Sequence, residues 1–257
     1  MPFTLAHPAA VLPFAKTRLP LSALVIGSVV PDFEYMMRLE MRSEISHTIT
    51  GIFTFCVPFG FLALLLFHHL LKKPLIGLMP GTVQARLSAI GTPFAFAPVR
   101  RFFTILFCLA LGAATHLAWD SFTHSDGAAV VRIHALSKSV LPAPHILPLY
   151  KILQHGSTLF GLSAIGIAIA RWFHASAPIV GTNFQATTWR KFRLSIALLF
   201  GAVISGVLIA MFKCGIPHDF ESFRCVAVLG VVSSELAMIV LLTIYALSLR
   251  LIHAARR

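Results

Sequence analysis

The sequence predicts an all-α fold, a polytopic transmembrane helical bundle of about five spans with an N-terminal helical segment at the outer face. Three observations carry that expectation. Hydrophobic residues fill 57% of the 257 positions and charged residues only 12%, a balance foreign to a water-soluble single domain of this size. Uncharged or nearly uncharged runs, long enough to cross about 30 Å of hydrocarbon, recur at 48–71, 102–119, 152–170, 194–212 and 226–249. Leu, Ala, Ile and Phe dominate these runs without the ten-residue alternation of a membrane barrel, so helices are the spanning structure. The chain, 1–257, reads as one integral membrane domain.

Residues 1–47 read as one or two helices that lie at the outer surface or re-enter it and pack on the bundle. The apolar stretch Leu19 to Val30 has 12 residues, too few to span, and Pro8, Pro13, Pro20 and Pro31 punctuate the region. Each proline discourages α-helix at the residue before it. The stretch does not have the order of a signal peptide, because Lys16 and Arg18 follow rather than precede an apolar segment.

Charge orients the spans, since short loops rich in Lys and Arg stay on the cytoplasmic side. Lys72, Lys73, Arg86, Arg100 and Arg101 fill the connection after the first span, Arg171, Arg190, Lys191 and Arg193 the one after the third, and Arg250, Arg256 and Arg257 the tail. No Asp or Glu lies in these segments, whereas every carboxylate except Glu235 lies in the others. The chain is therefore expected in a bacterial inner membrane with a cytoplasmic C-terminus. Its net charge of +12 then reflects orientation and contact with anionic membrane lipids. Nucleic acid is excluded as a partner, because the basic residues are spread over three segments with no aromatic-interleaved platform.

Cys56 and Cys108 fall inside spans and read as small packing residues, while Cys214 and Cys225 flank the short outer connection 213–224. A disulfide closing that connection and two free thiols are the alternatives. Glu235, inside the last span, is either a packing group beside Ser233 and Ser234 or a deep functional acid. There is no G-x-G-x-x-G, P-loop, G-x-S-x-G or H-E-x-x-H motif, so hydride transfer, nucleotide-driven transport and serine hydrolysis lack support.

The chemistry concentrates at one end of the second span. His116 and Asp120 sit at spacing i, i+4 on one helix face, and His124 follows one turn later. Imidazole and carboxylate beside hydrocarbon are costly and usually face a protein interior or a site. Eight of the twelve histidines fall on the outer side: His7, His47, His116, His124, His134, His145, His155 and His218. His47 precedes the first span, His155 opens the third, and Asp32 can join from the N-terminal segment. Mixed imidazole and carboxylate ligands suit zinc or another first-row divalent ion better than calcium or magnesium. The alternative for His116 and Asp120 is a hydrogen bond that joins two helices.

The opening Met1-Pro-Phe-Thr-Leu-Ala-His7-Pro, the block Gly27-Ser-Val-Val-Pro31-Asp32-Phe-Glu-Tyr35, Ser46-His47-Thr48, His116-Leu-Ala-Trp-Asp120-Ser-Phe-Thr-His124 and Gln154-His155-Gly-Ser157 together resemble the bacterial membrane family catalogued as domain of unknown function 4184. A more remote likeness is to inner-membrane metal-dependent hydrolases of the LexA-regulated type and to zinc-dependent phospholipase C. That second resemblance implies a zinc cluster that activates water against a phosphoester. It assigns ligand roles to His7, Asp32, His47, His116 and Asp120, with His124 a looser match. The soluble enzymes also use a later His-x-x-x-Glu, which is missing here, and one or two ions are expected rather than three.

The expected function is a membrane-bound metal-dependent hydrolase acting on a phosphoester of a lipid or envelope precursor at the extracytoplasmic face. His7, His47, His116 and Asp120 would hold the metal, and Asp32 would bridge ions or accept a proton from water. A non-catalytic metal-binding or transporter-like membrane protein is the alternative. Polar residues that gather at one end favour a surface site over a conduction path.

Overall fold

The computed structural model describes residues 3–40, 42–87, 93–142, 146–179 and 188–256. A 3₁₀ helix, Thr4–Lys16, leads into α1 (Leu21–Val29), a 3₁₀ turn Val30–Asp32, and α2 (Phe33–Arg38). The rest is helical: α3 (Ile49–Leu78), α4 (Gly81–Leu87), α5 (Val99–Thr123), α6 (Ala128–Arg132), α7 (His134–Ser137), α8 (Leu149–Ala175), α9 (Thr188–Cys214) and α10 (Phe220–Ala254). No strand occurs among the described residues.

Five of these helices, α3, α5, α8, α9 and α10, are long and apolar enough to cross a membrane, so the chain is a multi-pass membrane protein. Each extends beyond the apolar run that marks it. Among the basic flanks, Lys73 and Arg100 are exposed, Arg101 is half-buried and Lys72 is buried. In α3 two π-helical turns, Ile52–Cys56 and Phe67–Leu71, come shortly before Pro58 and Pro74. A wider turn is one way a helix accommodates a ring that cannot donate to the ladder.

The N-terminal prolines act differently from the sequence expectation. Pro8 and Pro13 lie within the Thr4–Lys16 helix instead of breaking it. Their fixed φ is compatible with 3₁₀ geometry. α1, which follows, is nine residues long.

The chain divides into two compact units, the first comprising Met1–Phe33, Glu44–Leu64 and Ala95–His174. In it α1 crosses α5 at two glycines. A Cβ at Gly27 would run into the Leu109 carbonyl, and one at Gly112 into the Leu24 carbonyl, so only hydrogen lets the two backbones approach this closely. The Thr4–Lys16 helix lies against both and is tied to α8, where Phe3 N donates to Thr158 Oγ1 (3.3 Å) and Gly161 leaves room for the Ala6 carbonyl. Val30, Ile52, Phe55, Cys56 and Ala113 form an apolar core in this unit.

The second unit comprises Glu34–Ser43, Leu65–Phe94 and Ala175–Arg257. Its main contact is the α9–α10 hairpin, where Gly206 packs against Ser234. An Asp219–Ser222 capping box starts α10, and Cys214 and Cys225 are joined in a disulfide, with Cα atoms 6.0 Å apart. The two other cysteines, Cys56 and Cys108, are buried thiols outside any disulfide, and Cys56 Sγ donates to the Ser46 carbonyl (3.5 Å).

Candidate metal centre

One face of α5 builds the floor of the site. Its buried residues, Ile105, Cys108, Leu109, Gly112, Ala113, His116, Asp120 and Thr123, follow the three-and-four spacing of a single helical stripe. His116 and Asp120 therefore continue the apolar seam that packs on α1, and they are buried with it.

Three further segments bring their ligands to that seam. Pro31 closes α1 in a 3₁₀ turn, which delivers Asp32, only 2% exposed. His47 is fixed by the start of α3, where Thr48 Oγ1 caps the helix by accepting from Gly51 N (2.9 Å). His7 comes from the Thr4–Lys16 helix, and its ring stacks on that of His116 with centroids 3.7 Å apart. His124, just past the end of α5, completes the group.

Around this floor the donor atoms form a closed set. His116 Nε2 lies 3.4 Å from Asp32 Oδ1 and 3.3 Å from Asp120 Oδ2, and His47 Nε2 lies 3.6 Å from each of the same two oxygens. The other oxygen of Asp120, Oδ1, lies 3.4 Å from His7 Nε2 and 3.6 Å from His124 Nδ1. Charge-assisted N–H···O bonds are shorter, about 2.7–2.9 Å. Ligands on a tetrahedral ion at zinc-type bond lengths stand roughly 3.3–3.6 Å apart along each edge. The separations are longer than the first pattern, and two three-residue groups, His7–His116–Asp120 and Asp32–His47–His116, bring their ligand atoms within 4.8 Å of one another.

Tautomers point the same way. The Nδ1 of His116 is 2.8 Å from the Ser28 carbonyl, which can only accept, so Nδ1 carries a hydrogen and Nε2 is the nitrogen turned toward the two carboxylate oxygens. That is the arrangement of a metal-bound histidine whose other nitrogen is anchored by a backbone carbonyl. His47 Nδ1 pairs with Ser46 Oγ at 2.9 Å. Both ring nitrogens of His7, both oxygens of Asp32, His116 Nε2 and Asp120 Oδ1 are buried without a hydrogen-bond partner. In an apolar setting, imidazole and carboxylate atoms this close are stabilised by a shared proton or by a bound cation.

Outside the spans the electrostatics separates the imidazoles. Burial, then the charge of His116, outweighs the neighbouring carboxylates and pushes the His7 pKa down to about 3, which keeps that ring neutral and able to donate a lone pair. Burial likewise lowers His124 against the pull of Asp120. For His47 burial acts downward too, but Asp120 and Asp32 overcome it and the net shift is upward. Asp32 is pushed up by burial and pulled down further by His116, His47 and His7, leaving it below the usual carboxylate range.

Five of the six residues nominated by the sequence, His7, Asp32, His47, His116 and Asp120, fall in groups that could hold a metal ion, and His124 stands beside them with Nδ1 3.6 Å from Asp120 Oδ1. The rim of the site is formed by His47 and His124, whose side chains are 19% and 22% exposed, against 0% for His116. The other histidines that the charge pattern assigns to the same side do not join. His134 and His155 are exposed, His218 is exposed beside Asp219, and His145 lies outside the described residues. On α8 it is Gln154, next to His155, that is buried. The partners that sequence reading missed are the Ser28 carbonyl, which no residue type announces, and Ser46 Oγ, for which the adjacent Ser46-His47 pair was the only signal.

No curated protein and no solved structure matches the chain. Residues 1–247 match the family model described as Domain of unknown function (DUF4184), and the chain belongs to that family.

Proposed function

We propose that this protein is a metal-dependent phosphoester hydrolase of the bacterial inner membrane, acting at the extracytoplasmic face on a lipid or envelope precursor. The observation that carries the reading is the meeting of His47, His116, Asp32 and Asp120 at tetrahedral-edge spacing. Two imidazoles and two carboxylates favour zinc among the common divalent ions. Because Asp120 turns its second oxygen toward His7 and His124, one carboxylate can serve two half-sites, and the donor set has room for one or two ions.

A divalent ion, when bound, supplies Lewis acidity for a phosphoryl oxygen and brings water toward ionisation near neutral pH. The chain's own residues divide the remaining work. His116 and Asp120, on the α5 stripe, would hold the ion, and the Ser28 carbonyl, by accepting from Nδ1, leaves Nε2 of His116 as the nitrogen that would bind it. His47 and His124 border the exposed edge, where a substrate phosphate enters. Asp32 presents Oδ1 to the imidazoles, and Oδ2, buried without a hydrogen-bond partner, is the atom left to accept a proton.

The outward placement rests on the basic connections of the sequence. The Cys214–Cys225 disulfide, in a connection assigned to the outside by the same rule, suits an oxidising compartment. A second reading, an ion that ties the Thr4–Lys16 helix, α1, α3 and α5 together without chemistry, draws on the near-complete burial of His116 and Asp32. Elemental analysis of the purified protein, with hydrolysis assays on phosphodiester, phosphomonoester and phospholipid substrates for wild type and His116→Ala, separates the readings. Metal-dependent turnover lost in the variant supports the hydrolase. Metal without turnover on any substrate supports the structural ion, and absence of metal removes both.

A further inference from the structure

The second unit carries a cavity that the proposed chemistry does not use. It has a volume of about 900 Å³ and lies among the C-terminal part of α3, the first turns of α9 and the last turns of α10. Lys73, Arg190, Lys191 and Arg250 line it with His69 and His253, and none of its described lining residues is a carboxylate. The Arg250 guanidinium donates to the His69 carbonyl, which fixes it against α3.

Four permanent cations around one cavity repel each other unless they share an anion. Retention of basic segments in the cytoplasm explains why Lys and Arg occur at these helix ends, but it does not require that they converge. Arg171 and Arg256 belong to the same basic segments, are exposed, and do not line the cavity. Between the cations the wall is apolar, with Leu70, Leu194 and Leu249 among the lining residues. A small inorganic anion would not use the leucines, and a neutral lipid tail would not use the cations. The volume falls in the range of sites that enclose a whole small molecule, larger than a single phosphate needs.

We infer that this cavity binds the phosphate head group of an anionic phospholipid, with Lys73, Arg190, Lys191 and Arg250 on the phosphate and the leucines on the first carbons of its acyl chains. Basic pockets between membrane helices take such head groups by this combination of charge and apolar contact.

The test is a titration of the detergent-purified full chain with tetraoleoyl cardiolipin, followed by native mass spectrometry, beside phosphatidylcholine and sodium phosphate. Cardiolipin should bind at least about tenfold more tightly than phosphatidylcholine. Lys191→Gln with Arg250→Gln should weaken it roughly thirtyfold, the effect of removing two well-placed cations. The matched double variant Arg171→Gln with Arg256→Gln should change it less than about threefold. Lys191→Arg with Arg250→Lys keeps both charges and should retain binding, which guards against a loss caused by misfolding. Equal losses in both Gln double variants would show diffuse attraction to a basic surface and overturn the site. Displacement of cardiolipin by millimolar phosphate, or no preference over phosphatidylcholine, would overturn the lipid assignment.

Discussion

The Nε2 of His116 lies 3.3 Å from Oδ2 of Asp120, one helical turn along α5. Neither atom can relieve the other without a proton or an ion, because the opposite nitrogen of His116 already donates to the Ser28 carbonyl. Asp120→Asn keeps the shape of the side chain and removes the charge. It should lower zinc affinity on the order of 100-fold or more, beyond the 10–100-fold typical of groups that only orient a ligand. In chelator-treated protein the same change removes an uncompensated buried anion and should leave the thermal midpoint unchanged or higher. Wild type alone should gain stability when zinc is restored. Melting curves with and without chelator read both effects.

Ser46 Oγ, 2.9 Å from His47 Nδ1, orients that ring from behind. Ser46→Ala should weaken zinc binding about 10-fold, the lower end of such outer-layer effects, and a competition titration with a zinc chromophore measures it. An unchanged affinity would mean that His47 is held by its backbone position before the Thr48 cap alone.

Much of this architecture was legible from local pattern. The five spans follow from apolar length, and the convergence of His116 and Asp120 follows from i, i+4 spacing on a helix whose buried stripe they extend. His47 and Asp32 are nominated by their places near the outer ends of the spans, and the ligand roles of His7, Asp32 and His47 by motif resemblance, because no local rule places a 3₁₀ turn beside a helix far along the chain. The α1–α5 crossing was not legible either. Gly27 and Gly112 matter through what their missing Cβ atoms would strike, which is a property of two backbones and not of either segment alone. His155 stands outside the donor set, since nearness to a helix start does not fix which way a side chain faces, and it is exposed.

Gly27 makes a test of that crossing possible. In Gly27→Ala the new methyl meets the backbone of Leu109, which cannot rotate away, so α1 must shift and carry Asp32 with it. A loss of about 1–3 kcal/mol is expected, the range for overpacking, together with reduced zinc retention. Gly156→Ala, on α8 with open space around the new Cβ, should be neutral or stabilising by up to about 1 kcal/mol. Thermal unfolding of the two variants side by side separates crowding from helix propensity.

The disulfide makes a statement that thiol counting can check. After denaturation, a maleimide reagent should label two cysteines, Cys56 and Cys108, before reduction and four after it. Cys214→Ser should cost up to about 3 kcal/mol, the chain-entropy figure for so short a loop, with zinc content unchanged because that pair lies outside the donor set. Four labels without reductant would remove the bond and its support for an outward-facing connection.

The most direct measurement is zinc-edge X-ray absorption on the purified protein together with its zinc content by mass spectrometry. The account predicts one or two zinc ions per chain with nitrogen and oxygen neighbours at about 2.0–2.1 Å and no sulfur, and loss of that signal in His116→Ala. A chain that is folded and metal-free, or whose bound metal and coordination are unchanged by His116→Ala, would contradict it.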